Sequence, residues 1–138
     1  MVNLIFYKGS APHATMWDKL ICLVTNSKYS HVEISFENID ESYKCWSSSN
    51  RDGGIRTKWI QIDKESWDIF PIVSEINEEW FLQHKSEKYD YIGLLGTLTN
   101  TDWFSSSTKW FCSECIAEVL GLKDSWKYSP EDLYKTIK

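Results

Sequence analysis

The chain reads as a small α+β domain in which a mostly antiparallel sheet is followed by helices. Three observations carry that reading. The first half holds five short β-prone runs separated by turn signals. The second half changes to helical spacing with capping residues. With 138 residues, 42% hydrophobic and 25% charged, the chain is sized for one domain with a buried core. No repeat, linker or low-complexity segment interrupts it, so a single domain is expected over residues 1–138.

Val2 to Tyr7 is apolar and β-prone, and Lys8-Gly9-Ser10 closes it as a first strand. Ala14 to Thr25 is a helix, with Trp17, Leu20, Ile21 and Val24 recurring on one face at three- and four-residue spacing. After the turn Asn26-Ser27-Lys28, His31 to Phe36 alternates as a strand. His31, Glu33 and Ser35 share one face of it, and Val32, Ile34 and Phe36 the other. Tyr43 to Ser48 is a third strand. Asn50-Arg51-Asp52-Gly53-Gly54 is a strong hairpin turn, because Asp-Gly and Gly-Gly tolerate positive φ. Ile55 to Ile62 returns, and Trp67 to Ile72 makes a fifth strand.

Helices are then expected at Glu75 to His84 and at Tyr91 to Leu98, the second weakened by Gly93 and Gly96. Ser105-Ser106-Ser107-Thr108 offers N-caps ahead of a helix that Cys112 opens near its first turn. That helix has a buried stripe of Phe111, Cys115, Ile116, Val119 and Leu120, and Gly121 stops it. Ser129-Pro130-Glu131-Asp132 starts the last helix with a cap, a proline at the first helical position and acids facing the dipole.

The formal net charge of −5 and the lack of any Lys/Arg-rich run argue against nucleic-acid binding as the main activity. Met1-Val2-Asn3-Leu4 runs straight into a strand pattern, with neither a signal-peptide pattern nor an apolar run long enough to span a membrane. A soluble, cytoplasmic chain is expected, and with it free thiols for its four cysteines. Cys22 and Cys45 read as small buried hydrophobes. Eight tryptophans and seven tyrosines are many for this length and read as core and groove lining.

Cys112 is the candidate nucleophile. A thiol attacks as thiolate, and a helix N-terminus and a nearby imidazole both favour that form. A buried structural thiol is the plainer alternative, and it suits Cys115, which shares a face with Phe111 and Val119. Cys112 is placed at the edge of that stripe. A Cys-x-x-Cys redox motif normally follows an early strand, which this one does not. Zinc held by Cys112, Cys115 and His31 lacks a second Cys/His pair.

His31 opens its strand, so its ring can project toward a helix end packed there. Glu33, two residues on and on the same face, can orient it, as such pairs require a third group, or else is a solvated strand residue. Ser47, Ser48 and Ser49 are rival orienters or substrate contacts. His13, in a Ser/Ala/Pro loop, and His84, near a charged helix end, carry no such context.

Five segments in this order have a recognisable likeness: Phe6-Tyr7-Lys8-Gly9, Tyr29-Ser30-His31-Val32-Glu33, Cys45-Trp46-Ser47-Ser48-Ser49 with Arg51-Asp52-Gly53-Gly54, Tyr89-Asp90-Tyr91-Ile92-Gly93-Leu94-Leu95-Gly96, and Trp110-Phe111-Cys112-Ser113-Glu114. With histidine before cysteine, the chain resembles the circularly permuted papain-like cysteine hydrolases of the NlpC superfamily. The likeness is greatest to small phage-encoded members, distant relatives of cell-wall hydrolases. The resemblance implies a permuted papain-like fold with Cys112 as nucleophile and His31 as base, while Glu33 as third residue comes from the strand pattern. Tyr7, Ser47, Ser49 and Tyr91 are the candidate substrate contacts, and no metal or organic cofactor is implied.

The superfamily cleaves peptide amides in cell walls, or amides and esters of lipids. A peptidoglycan stem peptide is the favoured substrate here, reached from a host cytoplasm by export, virion packaging or lysis. The alternative is a non-catalytic phage protein that docks on a host protein through its aromatic surplus.

Overall fold

The computed structural model describes residues 1–49, 52–85, 87–89 and 109–138. Five long strands make an antiparallel sheet: β1 Val2–Lys8, β2 Tyr29–Ile39, β3 Ser42–Ser49, β4 Gly54–Gln61 and β5 Trp67–Ile72, in the order β5-β1-β2-β3-β4. Two short strands extend it, β6 Lys88–Tyr89 antiparallel to β4 and β7 Lys109–Trp110 parallel to β6. The described helices are α1 Met16–Thr25, α2 Glu79–His84, α3 Cys112–Val119 and α4 Pro130–Ile137, with a 3₁₀ turn at Ser125–Lys127. The class is therefore α+β, as the sequence pattern predicts. None of the described helices is long and apolar enough to cross a membrane.

Strand alternation sets the layers. Leu4 and Phe6 of β1, Val32 and Ile34 of β2, Trp46 of β3 and Ile55 of β4 point to one side, where they bury against Cys115 and Ile116 of α3 and Leu133 of α4. Trp46 stacks on Phe81 of α2 at 5.5 Å, and its indole N–H donates to Glu78 at 2.9 Å. A large side chain is thus buried with its one polar atom satisfied.

The opposite side carries Ile5, Cys45 and Ile62, each buried, packed with Tyr43, Ile60, Trp67 and Ile69, and no described helix joins this second cluster. Ile60 lies on β4 and Trp67 on β5, the two ends of the five-strand order. They share a cluster because the sheet curls, its twist bringing the outer strands together over the concave face.

Helix boundaries follow local chemistry. The Thr15 hydroxyl accepts the Asp18 N–H at 3.2 Å and the Asp18 carboxylate accepts the Thr15 N–H at 2.7 Å, a capping box that starts α1 at Met16 and not at Ala14. Ser129 and Asp132 repeat that box ahead of Pro130, as the spacing predicts. Gly121 ends α3 at φ +75°, where Gly121 N–H bonds Glu118 C=O and Leu122 N–H bonds Ala117 C=O in a Schellman motif.

Several expectations are corrected. Glu75–Asn77 are not helical. The Ser74 hydroxyl and the Asn77 side chain accept the backbone N–H groups of Ile76 and Glu79, a local pairing that competes with the helix until Glu79. Leu20 is 47% exposed, because α1 docks through Trp17, Asp18 and Ile21. Cys22 is only half-buried, with Gly9 packed closely against its sulfur. The cap of α3 is Phe111 and no side chain caps it. The helix expected at Tyr91–Leu98 and the Ser105–Thr108 loop lie outside the described residues.

Candidate active site

The site forms where the sheet splits. The β2–β3 ladder runs from Ile39↔Ser42 to Ile34↔Trp46 and goes no further, although β2 reaches back to Tyr29 and β3 on to Ser49. Below that point β2 stays with β1, through Phe6↔Val32 and Tyr7↔His31, while β3 stays with β4, through Ser47↔Arg56 and Ser49↔Gly54. The Ser47 hydroxyl donates to the Val32 carbonyl at 2.7 Å across the gap. Helix α3 packs on both strands. The Ser48 backbone N–H reaches the Cys115 sulfur, and the Cys115 thiol donates to the Cys112 carbonyl at 3.1 Å. Cys115, wholly buried, thereby ties the first turn of α3 to β3 and fixes where Cys112 emerges.

His31 lies in the same split, on the far side of β2 from the main core. Its Nε2 meets Glu33 Oε1 at 2.8 Å, and the imidazole also hydrogen-bonds Cys112. With Nε2 held by Glu33, Nδ1 is the nitrogen left for sulfur. Burial by itself pushes the His31 pKa down. The negative charge and hydrogen bond of Cys112, together with Glu33, outweigh burial and bring it up to about 9. The charged form of the imidazole is thus favoured, with Cys112 and Glu33 as its partners.

Glu33 is wholly buried and is not the solvated strand residue of the alternative reading. Its second charged partner is Arg56, whose Nη1 donates to Oε2 at 2.7 Å while Nη2 donates to Oε1. Burial raises the Glu33 pKa, but Arg56 and then His31 more than reverse this and hold it at about 2. The Arg56 Nε in turn donates to Asp52 at 2.8 Å, and Lys58 bonds the same Asp52 oxygen at 3.2 Å.

Arg56 is the site residue the sequence reading missed. Its signal was present: a carboxylate placed to orient a buried histidine needs a counter-charge. The chain has two arginines, and one stands on β4 next to the predicted hairpin.

A cavity of about 210 Å³ opens beside the His31 ring. Tyr7 and Trp67, ring centroids 4.7 Å apart, wall one side, with Ile21 and Ile60, and Asp18, Ser49, Arg56 and Lys58 supply polar lining. Of the candidate substrate contacts, Tyr7 and Ser49 line this cavity. Ser47 does not, being buried with its hydroxyl committed to Val32. Tyr91 lies outside the described residues. Cys112 is 3% exposed, deeper than the stripe-edge position expected of it, and the cavity meets the pair through the His31 ring.

All four cysteines are free thiols, and among the described residues no group of three or more His, Cys, Asp or Glu could hold a metal ion. His84 is structural, its ring stacked 3.9 Å from Trp80 and its Nδ1 on the Trp80 carbonyl. A scan of protein-family models, a search of curated proteins and a search of solved structures each return no match to this chain.

Proposed function

We propose that this chain is a cysteine hydrolase or acyltransferase on a permuted papain-like fold, with Cys112 as nucleophile, His31 as base and Glu33 orienting the imidazole. One observation carries the reading: the His31 ring is held on Nε2 by a buried carboxylate and hydrogen-bonded to a cysteine at the first turn of a helix. The Cys112 sulfur attacks a carbonyl carbon of a peptide, amide or ester. The backbone N–H groups of Cys112 and Ser113, which have no intrahelical acceptor at that end, receive the oxyanion. His31 gives its proton to the departing amine or alcohol as the thioester forms. Water, losing a proton to His31, then releases the acid, or a second nucleophile takes the acyl group. No metal or organic cofactor enters these steps.

A peptidoglycan stem peptide remains the favoured substrate, and a host cytoplasm the place of synthesis. The second reading, a non-catalytic protein that docks on a host protein, draws on Met16, Leu20 and Leu23, exposed at 82%, 47% and 78% along one face of α1. Iodoacetamide labelling with peptide mapping separates the two. An activated Cys112 is alkylated well below the ordinary thiol pKa of about 8.5, and His31→Ala moves it back toward that value. Slow labelling of Cys112 with an ordinary thiol profile, matching the other three cysteines, would refute the hydrolase reading and leave the docking protein.

A further inference from the structure

We infer that Arg56 is a positioning residue for the Cys112–His31 pair: through its two-pronged hold on Glu33 it fixes the imidazole and supplies the positive charge that keeps Cys112 a thiolate. The inference rests on the hydrolase reading above and adds to it a residue outside the expected triad.

The geometry is a chain of alternating charges. Asp52 meets Arg56, Arg56 meets both oxygens of Glu33, Glu33 meets His31, and His31 meets Cys112. Glu33 is wholly buried, and the Arg56 side chain is 13% exposed. Glu33 accepts Arg56 on both oxygens and His31 on Oε1, so its orientation is set from two strands at once. Arg56 approaches from β4 across the split in the sheet, which lets one carboxylate stay aimed at His31 where the β2–β3 ladder has ended.

Counting charge gives the second half of the argument. With Arg56 present, two cations (Arg56 and imidazolium) face two anions (Glu33 and thiolate). With Arg56 made neutral, the buried set carries one excess negative charge. A low-dielectric site relieves that by protonating the more basic anion, the thiolate. The other charged or titratable groups on the packed elements do not replace Arg56. Asp18 of α1 and Glu114 of α3 are acids, Tyr7 of β1 and Cys45 of β3 are neutral, and Lys58 of β4 turns to Asp52.

The test is the pH dependence of Cys112 alkylation in wild type, Arg56→Gln and Arg56→Lys, each checked by thermal melt. In Arg56→Gln the midpoint should rise by about one unit or more, slowing alkylation at pH 6 about tenfold. Arg56→Lys keeps the charge and should bring the midpoint most of the way back. A loss of stability alone would not move this midpoint.

A folded Arg56→Gln with the low wild-type midpoint overturns the role of Arg56 and leaves the hydrolase reading standing. An ordinary thiol midpoint in wild type refutes that reading itself. Should Arg56→Gln fail to fold, carbon-13 titration of Glu33 in wild type decides. No protonation in the folded protein above pH 4 supports the hold by Arg56, and an ordinary midpoint near about 4.3 overturns it.

Discussion

Glu33→Gln is the sharpest perturbation of this site, because it keeps shape and removes one charge. The side chain is wholly buried and bonds His31 at 2.8 Å and Arg56 at 2.7 Å. An amide offers one acceptor oxygen where the carboxylate had two. Its NH₂ would face a donor from either Arg56 or His31, and a buried guanidinium would lose its main counter-charge. Breaking a buried pair in this way costs about 3–5 kcal/mol. Arg56 keeps Asp52 at 2.8 Å, which places the cost near the lower end, about 3 kcal/mol.

For 138 residues at about 2.1 cal/mol/K each, the unfolding entropy is about 0.3 kcal/mol/K, so Tm should fall by about 10 °C. Differential scanning calorimetry at pH 6 measures it. The deficit should also shrink in acid. A depressed carboxylate pKa stabilises the fold above the unfolded value of about 4.3, and that stability is lost as pH falls toward the folded value of about 2. A Glu33→Gln melt within about 2 °C of wild type at pH 6 would refute the buried network, since at that unfolding entropy such a shift amounts to only about 0.6 kcal/mol.

The histidine gives the opposite limb. With a folded pKa of about 9 against an unfolded value of about 6.5, His31 stabilises the fold fully below the lower value, and the gain disappears as pH rises through the upper one. A thiolate partner gives the opposite slope up to about pH 8.5, so the His31 titration itself is the measurement: nitrogen-15 NMR should show the ring still protonated at pH 8, and a midpoint near the ordinary value of about 6.5 would count against the imidazolium. Cys112→Ser should bring the His31 titration down, seen by nitrogen-15 NMR, because Cys112 is the foremost group raising it. Cys115→Ser should cost only about 1 kcal/mol, since the new hydroxyl inherits the Cys112 carbonyl and the Ser48 N–H, and a loss above about 3 kcal/mol in chemical denaturation would show those contacts are not transferable. Gly9→Ala drives a methyl into the Cys22 sulfur and should cost about 1–3 kcal/mol, with Cys22→Ala in the same chain restoring most of it. A double mutant no better than the single would place the strain elsewhere.

Local rules were enough for the five long strands, although β2 runs from Tyr29 to Ile39, beyond the expected His31–Phe36, and the short β6 and β7 were not expected. Period-two alternation put His31 and Glu33 on one face and Val32 and Ile34 on the other, and the structure keeps both assignments. The Trp67–Ile72 strand has the bounds its composition suggests, and Ser129-Pro130-Glu131-Asp132 caps its helix as written. These features depend on neighbours within a few residues, which a linear chain displays. The helix expected from Glu75 did not form before Glu79, because side chains of Ser74 and Asn77 bond their own backbone more readily than a helix would.

Tertiary structure decided what long-range pairing alone can bring about. That Glu33 is buried follows from the curl of the sheet, and burial is what makes Arg56 indispensable as a counter-charge. The encounter of Cys112 with His31 depends on where the β2–β3 ladder stops and on Cys115 anchoring α3 to Ser48 of β3, a contact between distant parts of the chain. The deep seat of Cys112 likewise reflects packing by residues distant in sequence. The amino-acid order names the cysteine, the histidine and the carboxylate. Only the folded sheet, by splitting, closes them into one site and adds the arginine, because a charge removed from water must be matched in space and not along the chain.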